Sequence, residues 1–236
     1  MAVTGRDVRA IVSIDPGIKN FAYAVLVASY ADPNSPAASS CSVTLPSPGF
    51  RVWEFEKHNL SAPHNADAYT RAAALVLDVC RNLRETFGQG MRIDVLIEMQ
   101  MQTNTYTFPL VYFLHGYLSC HSTLVQNVFT IAPRTKLAAR VVSAVWKACF
   151  LQFSQQRDGT AHPFTSNSKA TSLTFTDAFI AQHGATHTCR NGASLQDVWR
   201  SPVVRASKRD DLADALLQGV ALWAAESEVL PTLQKW

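Results

Sequence analysis

The stretch IVSIDPGIKNFAYAVLV, residues 11–27, decides how the chain is read. Ile11, Val12 and Ile14 are β-branched and lead into one acid, Asp15. Pro16 and Gly17 then punctuate the run, because proline fixes φ and glycine tolerates φ > 0. Residues 21–27 are again apolar and strand-like, so the unit reads as a hairpin. An aspartate on an apolar strand is costly to bury unless it is paired or binds a metal. A capping or turn aspartate is the plain alternative for this stretch taken alone.

Two further stretches carry acids in similar settings. IDVLIE, residues 93–98, is an apolar strand ending in Glu98, and DLADALLQGVALW, residues 211–223, has helical periodicity and opens with Asp211 and Asp214. Acids three apart share one helix face, with Cβ atoms roughly 5–6 Å apart. Four carboxylates, two ending strands and two opening a helix, could converge on one point. Such a set suits two Mg²⁺ ions, with Mn²⁺ as a substitute, for in-line phosphodiester chemistry. The helix dipole alone also favours acids in a first turn, which accounts for Asp210, Asp211 and Asp214 without any site. It does not explain an acid between Ala213 and Ala215, small residues expected to pack close to a sheet.

Between these stretches the elements follow from periodicity. Residues 50–55, FRVWEF, alternate and predict a third strand at the edge of a meander. Residues 65–87 predict a helix, with Ala66, Tyr69, Ala73, Leu77, Cys80 and Leu83 at helical spacing and Gly88 as its stop. Residues 106–124 have helical period but are apolar nearly all round, so the helix is buried on every side. It is either a core helix of a monomer or a helix packed between the sheet and a second subunit. Residues 128–132 predict a short strand, and Pro133 opens a helix to about residue 153. A short helix over 173–182 and a last one over 210–226 complete the chain. Variable loops are expected near 31–49, 154–172 and 183–206 of a single domain spanning residues 1–236. The fold class expected is α/β, a mixed five-stranded sheet flanked by helices.

The totals exclude several classes. At 236 residues, 47% apolar and 17% charged, the chain can bury one sizeable core. A net charge of +3 permits nucleic acid without demanding it. The five cysteines form no CxxC pair, which argues against a zinc ribbon and for reduced, intracellular thiols. His183, His187 and Cys189 lie close together in sequence but lack a fourth ligand. No apolar run approaches the roughly 20 residues of a membrane span, and the first residues lead neither into a secretory apolar region nor into a long Arg- and Ser-rich presequence. No phosphate-binding loop, nucleophile elbow or dinucleotide fingerprint occurs.

SIDPGIKNFAYAV around Asp15, VLIEMQMQ around Glu98 and KRDDLADALLQG around Asp211 and Asp214 together resemble the RuvC-like Holliday junction resolvases of the RNase H/retroviral integrase superfamily. The poxvirus and mitochondrial resolvases are nearest in character. The motifs come in the family's order and span nearly the whole chain. The resemblance implies an RNase H-like fold and a metal-dependent, homodimeric endonuclease that makes paired symmetric nicks in four-way junction DNA. It implies that Asp15 bridges two ions, that Glu98 holds one, and that Asp211 and Asp214 complete the other; Asp210 is out of register with the family motif. It also implies that the helix after Glu98 forms the dimer interface, here through Phe108, Leu110, Tyr112, Phe113 and Tyr117. Lys19, Lys208 and Arg209 lie near the expected centre and would contact DNA phosphates. Arg134 and Lys136 either join them or are solvated as an ordinary helix start, and Gln100 and Gln102 are either DNA contacts or strand-end surface groups. Other expectations stay open at this stage: a nuclease of the same fold acting on other branched DNA, RNA or RNA–DNA hybrid, or a junction-binding protein without catalysis. Viral relatives imply host cytoplasm and mitochondrial ones the organelle, and the sequence does not choose between them.

Overall fold

In the computed structural model, residues 6–31, 50–133, 168–205 and 209–227 are described. Three strands come first: β1 (Arg6–Asp15), β2 (Phe21–Ala31) and β3 (Arg51–His58). Helix α1 (Asn65–Phe87), strand β4 (Arg92–Glu98), helix α2 (Thr107–Ser119) and strand β5 (Asn127–Ile131) follow. The C-terminal part contributes α3 (Ser168–His183), two short helices α4 (Leu195–Arg200) and α5 (Pro202–Arg205), and α6 (Arg209–Ser227). The five strands form one mixed sheet in the order β3-β2-β1-β4-β5. β1–β2 and β2–β3 are antiparallel, while β1–β4 and β4–β5 are parallel. This is the expected RNase H-like mixed sheet flanked by helices.

Strand alternation sends every second side chain to the same face. On one face Ala10, Val12 and Ile14 of β1 and Phe21, Tyr23 and Val25 of β2 join residues of α1 and α2 in one core. On the other, Ile11, Ala22, Ala24, Leu26, Ala28 and Leu96 pack with α3 and α6. The second face is lined by small residues, and α6 uses them. A Cβ built on Gly219 would stand 2.6 Å from Leu26 Cδ1 and 3.2 Å from Ser13 Cβ, so a side chain here would have to displace Leu26 or lift the helix. Burial on both sides, by the sheet and by α3, accounts for the nearly continuous apolar run of α6.

The exposed edge of β3 is covered by residues 187–190. His187 Nδ1 accepts from Val52 N at 3.0 Å, and Arg190 N donates to the Trp53 carbonyl at 2.8 Å. Capping an edge strand in this way removes a template for unwanted pairing. His187 therefore has a structural role, set edge-on to Phe50 and Phe179.

Several expectations change. β3 extends to His58 and β1 starts at Arg6 rather than near Ile11. The predicted loop 154–172 gives way to helix at Ser168, because Phe175 and Phe179 of α3 enter the core. The stretch 183–206, expected to be irregular, holds α4 and α5. Ser194 Oγ accepts from Asp197 N and starts α4, whose Trp199 is buried. The expected loop at 31–49, apart from Ala31 at the end of β2, and the helix from residue 134 to 153 lie outside the described residues. Among those described, no helix is long and apolar enough to cross a membrane.

Burial, with His183 and Arg51 nearby, pushes the His187 imidazole down to about 4. The unfolded chain takes up that proton near pH ~6.5 and the folded chain does not. Stability is therefore complete above about pH 6.5 and falls by up to about 3 kcal/mol as pH drops toward 4. Urea denaturation across this range should show that slope, and His187→Gln should flatten it. A second expectation concerns packing: Gly219→Val should lower stability by about 1–3 kcal/mol, read by the same denaturation, by forcing α6 off the sheet.

Candidate metal centre

Two strands and one helix build the centre. β1 and β4 are parallel neighbours with Ile14 opposite Ile97, so Asp15 and Glu98 leave the same end of adjacent strands. They project from the face that α6 covers, as their neighbours Ile11 and Leu96 do. The turn after Asp15 is tight: Gly17 N donates to the Asp15 carbonyl at 3.1 Å, and a Cβ on Gly17 would stand 2.8 Å from the Asn20 carbonyl oxygen. On α6, Asp214 comes one turn after the helix start, and close packing at Gly219 carries it to the strand ends. Carboxylate oxygens of Asp15, Glu98 and Asp214 all lie within 4.8 Å of one another.

Glu98 is 5% exposed and Asp214 9%. Two neutral groups donate to them: Gln218 Nε2 to Glu98 Oε2, and Ser172 Oγ from α3 to Asp214 Oδ1. Asp15 opens on a cleft of ≈ 820 Å³ that also takes in Lys19, Gln100, Lys169 and Asp211. Asp211 thus lines the same cleft but is not in the close triad. Asp210, out of register in the sequence, forms an ion pair with Lys169. That hydrogen bond raises the Lys169 ammonium above its usual range, with the fields of Asp210, Asp211 and Asp214 adding to it.

Hard carboxylate oxygens from three elements, beside an open cleft, fit Mg²⁺ or Mn²⁺ rather than a thiophilic metal. His183 and His187 lie elsewhere, in the core beneath β3, and His187 Nδ1 is engaged by Val52.

The expected DNA contacts divide. Lys19 is exposed in the cleft. Arg209 is instead engaged in a clamp: its guanidinium lies 4.0 Å from the Trp199 ring centroid and 3.3 Å from Asp177 Oδ1, which also accepts from Trp199 Nε1 at 2.7 Å. Arg134, Lys136 and Lys208 lie outside the described residues. Gln102 is exposed and is not among the residues lining the cleft.

On α2 the expected interface set also divides. Leu110 is 0% exposed within the chain's own core, because the helix turns Leu110, Val111, Leu114 and Leu118 onto α1 and the sheet. Leu110 is therefore a core residue and not a contact for a second subunit. Tyr112, at 56%, and Tyr117, at 40%, face outward, with Phe108 and Phe113 half-buried beside them. The aromatic rings touch one another along this face, Phe108 with Tyr112 and Phe113 with Tyr117.

Sequence reasoning missed Ser172, Gln218 and the cleft position of Lys169. A glutamine inside the apolar run DALLQGVAL, four residues after Asp214, was the available signal for Gln218.

No family model matches the chain, and no curated protein matches it. Among solved structures, the chain is similar to Thermus thermophilus RuvC in complex with a Holliday junction substrate, at 16% identity and a TM-score of 0.36, covering 75% of this chain and 96% of that one. It is similar to the yeast mitochondrial Holliday junction resolvase Ydc2, at 16% identity and a TM-score of 0.45, covering 93% of this chain and 80% of that one. It is also similar to the Aquifex aeolicus PPX-GPPA enzyme, at 10% identity and a TM-score of 0.37, covering 62% of this chain and 42% of that one. At these values the chemistry has to be argued from the chain's own side chains.

Carboxylates this close repel one another when ionised and no cation is bound. Asp15→Asn should therefore raise stability by about 1–3 kcal/mol in EDTA, measured by thermal unfolding. The same variant should lose the stabilisation that added Mn²⁺ gives the wild type.

Proposed function

We propose that the chain is a structure-selective endonuclease that resolves four-way DNA junctions by paired nicks. One observation carries the reading: acids from β1, β4 and α6 meet within 4.8 Å beside an open cleft. The three motifs resembling the junction resolvases are the segments that deliver those acids. Divalent ions held there would supply charge neutralisation at the phosphate and an activated water for in-line attack.

The residues have distinct parts in this reading. Asp15, Glu98 and Asp214 hold the cation, with Asp15 also lining the cleft. Asp211, in the same cleft, is the fourth acid and serves a second ion. Lys19 and Lys169 line the same cleft and bind phosphates, which gives affinity without reading sequence. Exchange of Asp210 for a phosphate on Lys169 keeps that ammonium charged throughout. Arg134, Lys136 and Lys208 are proposed as further phosphate contacts, while Arg209 acts by holding α4 against α6.

A second copy of the chain would pack on the outward aromatic face of α2, through Tyr112, Tyr117, Phe108 and Phe113. A twofold dimer places two such centres symmetrically, matching the symmetry of a four-way junction. Recombination and repair of DNA are the processes that need such an activity.

Purified protein should nick a labelled mobile junction at paired, symmetric positions with Mg²⁺ and leave it intact with EDTA. Asp15→Asn should lower the rate by at least about 10³-fold. Cleavage of an RNA–DNA hybrid or a flap, with the junction untouched, would replace the substrate and retain the centre. Junction binding without cleavage in Mg²⁺ or Mn²⁺ would sink the enzymatic reading.

A further inference from the structure

Along its buried length α6 carries two polar side chains, Asp214 of the triad and Gln218. Gln218 is 0% exposed, and nothing in the packing of an apolar helix against a sheet calls for an amide there. Its position is specific. It lies four residues after Asp214, hence on the same face one turn along the helix. Its Nε2 donates to Glu98 Oε2, across 120 residues of sequence. Its Oε1 is buried with no hydrogen-bond partner. Half of the amide thus works against folding, while the other half holds a carboxylate of the triad. Ser172, also 0% exposed, does the corresponding thing from α3 by donating to Asp214 Oδ1.

We infer that Gln218, with Ser172 as its counterpart, is a positioning residue for the cation. This rests on the metal reading of the triad. Each donor holds one oxygen of a carboxylate and fixes its rotamer within the triad. A neutral donor is suited to this position, because lysine or arginine there would bring its own positive charge and compete with the cation. Groups that orient metal-binding carboxylates commonly set affinity by roughly 10–100-fold.

The test is Mn²⁺ titration of the full-length protein by calorimetry, without DNA, alongside thermal unfolding in EDTA. Gln218→Met keeps the size and removes the donor. It should bind Mn²⁺ about tenfold or more weakly, whatever the shift of its unfolding temperature in EDTA, where loss of the half-unpaired amide and loss of the bond to Glu98 oppose each other. Ser172→Ala should weaken Mn²⁺ in the same direction. A lower unfolding temperature with Mn²⁺ affinity within about twofold of wild type would make Gln218 a packing residue and overturn the inference. Gln218→Leu is measured in parallel; if neither substitution folds, the amide is needed for the fold and the inference falls. Wild-type protein that binds no Mn²⁺ would instead remove the metal reading beneath it, and that failure shows in a different sample.

Discussion

The contact of α6 with the sheet is the constraint on which the rest depends. β2 offers Ala22, Ala24 and Ala28 on that face, and α6 meets the sheet through Gly219, where a Cβ would run into Leu26 and Ser13. Small residues on both partners shorten the distance between helix and strands. A larger separation would leave Asp214 out of reach of Asp15 and Glu98, since those two are fixed at strand ends by the β1–β4 register. Packing and chemistry are therefore set by the same residues, and α3 presses on α6 to hold the arrangement.

β4 shows how differently two acids on one strand face are handled. Asp94 and Glu98 are four residues apart, so they point the same way. Asp94 is fully buried and bonded by Arg9 Nε at 2.7 Å, by Arg92 Nε at 3.0 Å and by Asn127 Nδ2 at 2.7 Å. That is a closed structural network, in which cations of the protein offset the cost of burial. Glu98 at the other end is oriented by an amide and grouped with two further acids. One end of the strand is neutralised by the chain itself, and the other is arranged to receive a cation.

Much of this is legible in the sequence because the deciding elements are local. β1, β4 and α6 announce themselves as apolar runs that carry acids at their ends, and α1 keeps the bounds that its periodicity predicts. What is not legible depends on contacts distant in sequence. α4 and α5 are too short to show a period, and Trp199 finds its place through Phe55, Arg209 and Asp177, all distant in sequence or on other elements. α2 is apolar on both sides, so periodicity does not say that Leu110 turns inward while Tyr112 turns out. Ser172 meets Asp214 across 42 residues, and no spacing rule reaches that far. Lys169 stands in a stretch with the composition of a polar loop, and only α3 places it on the cleft.

The central claim is that Asp15, Glu98 and Asp214 form a divalent-cation site. Anomalous scattering from crystals soaked in Mn²⁺ tests it most directly. The account predicts a peak between the three carboxylates, with oxygen ligands at about 2.1–2.2 Å from the ion. An empty triad in crystals that bind Mn²⁺ elsewhere, or an ion held by none of these three residues, would contradict it.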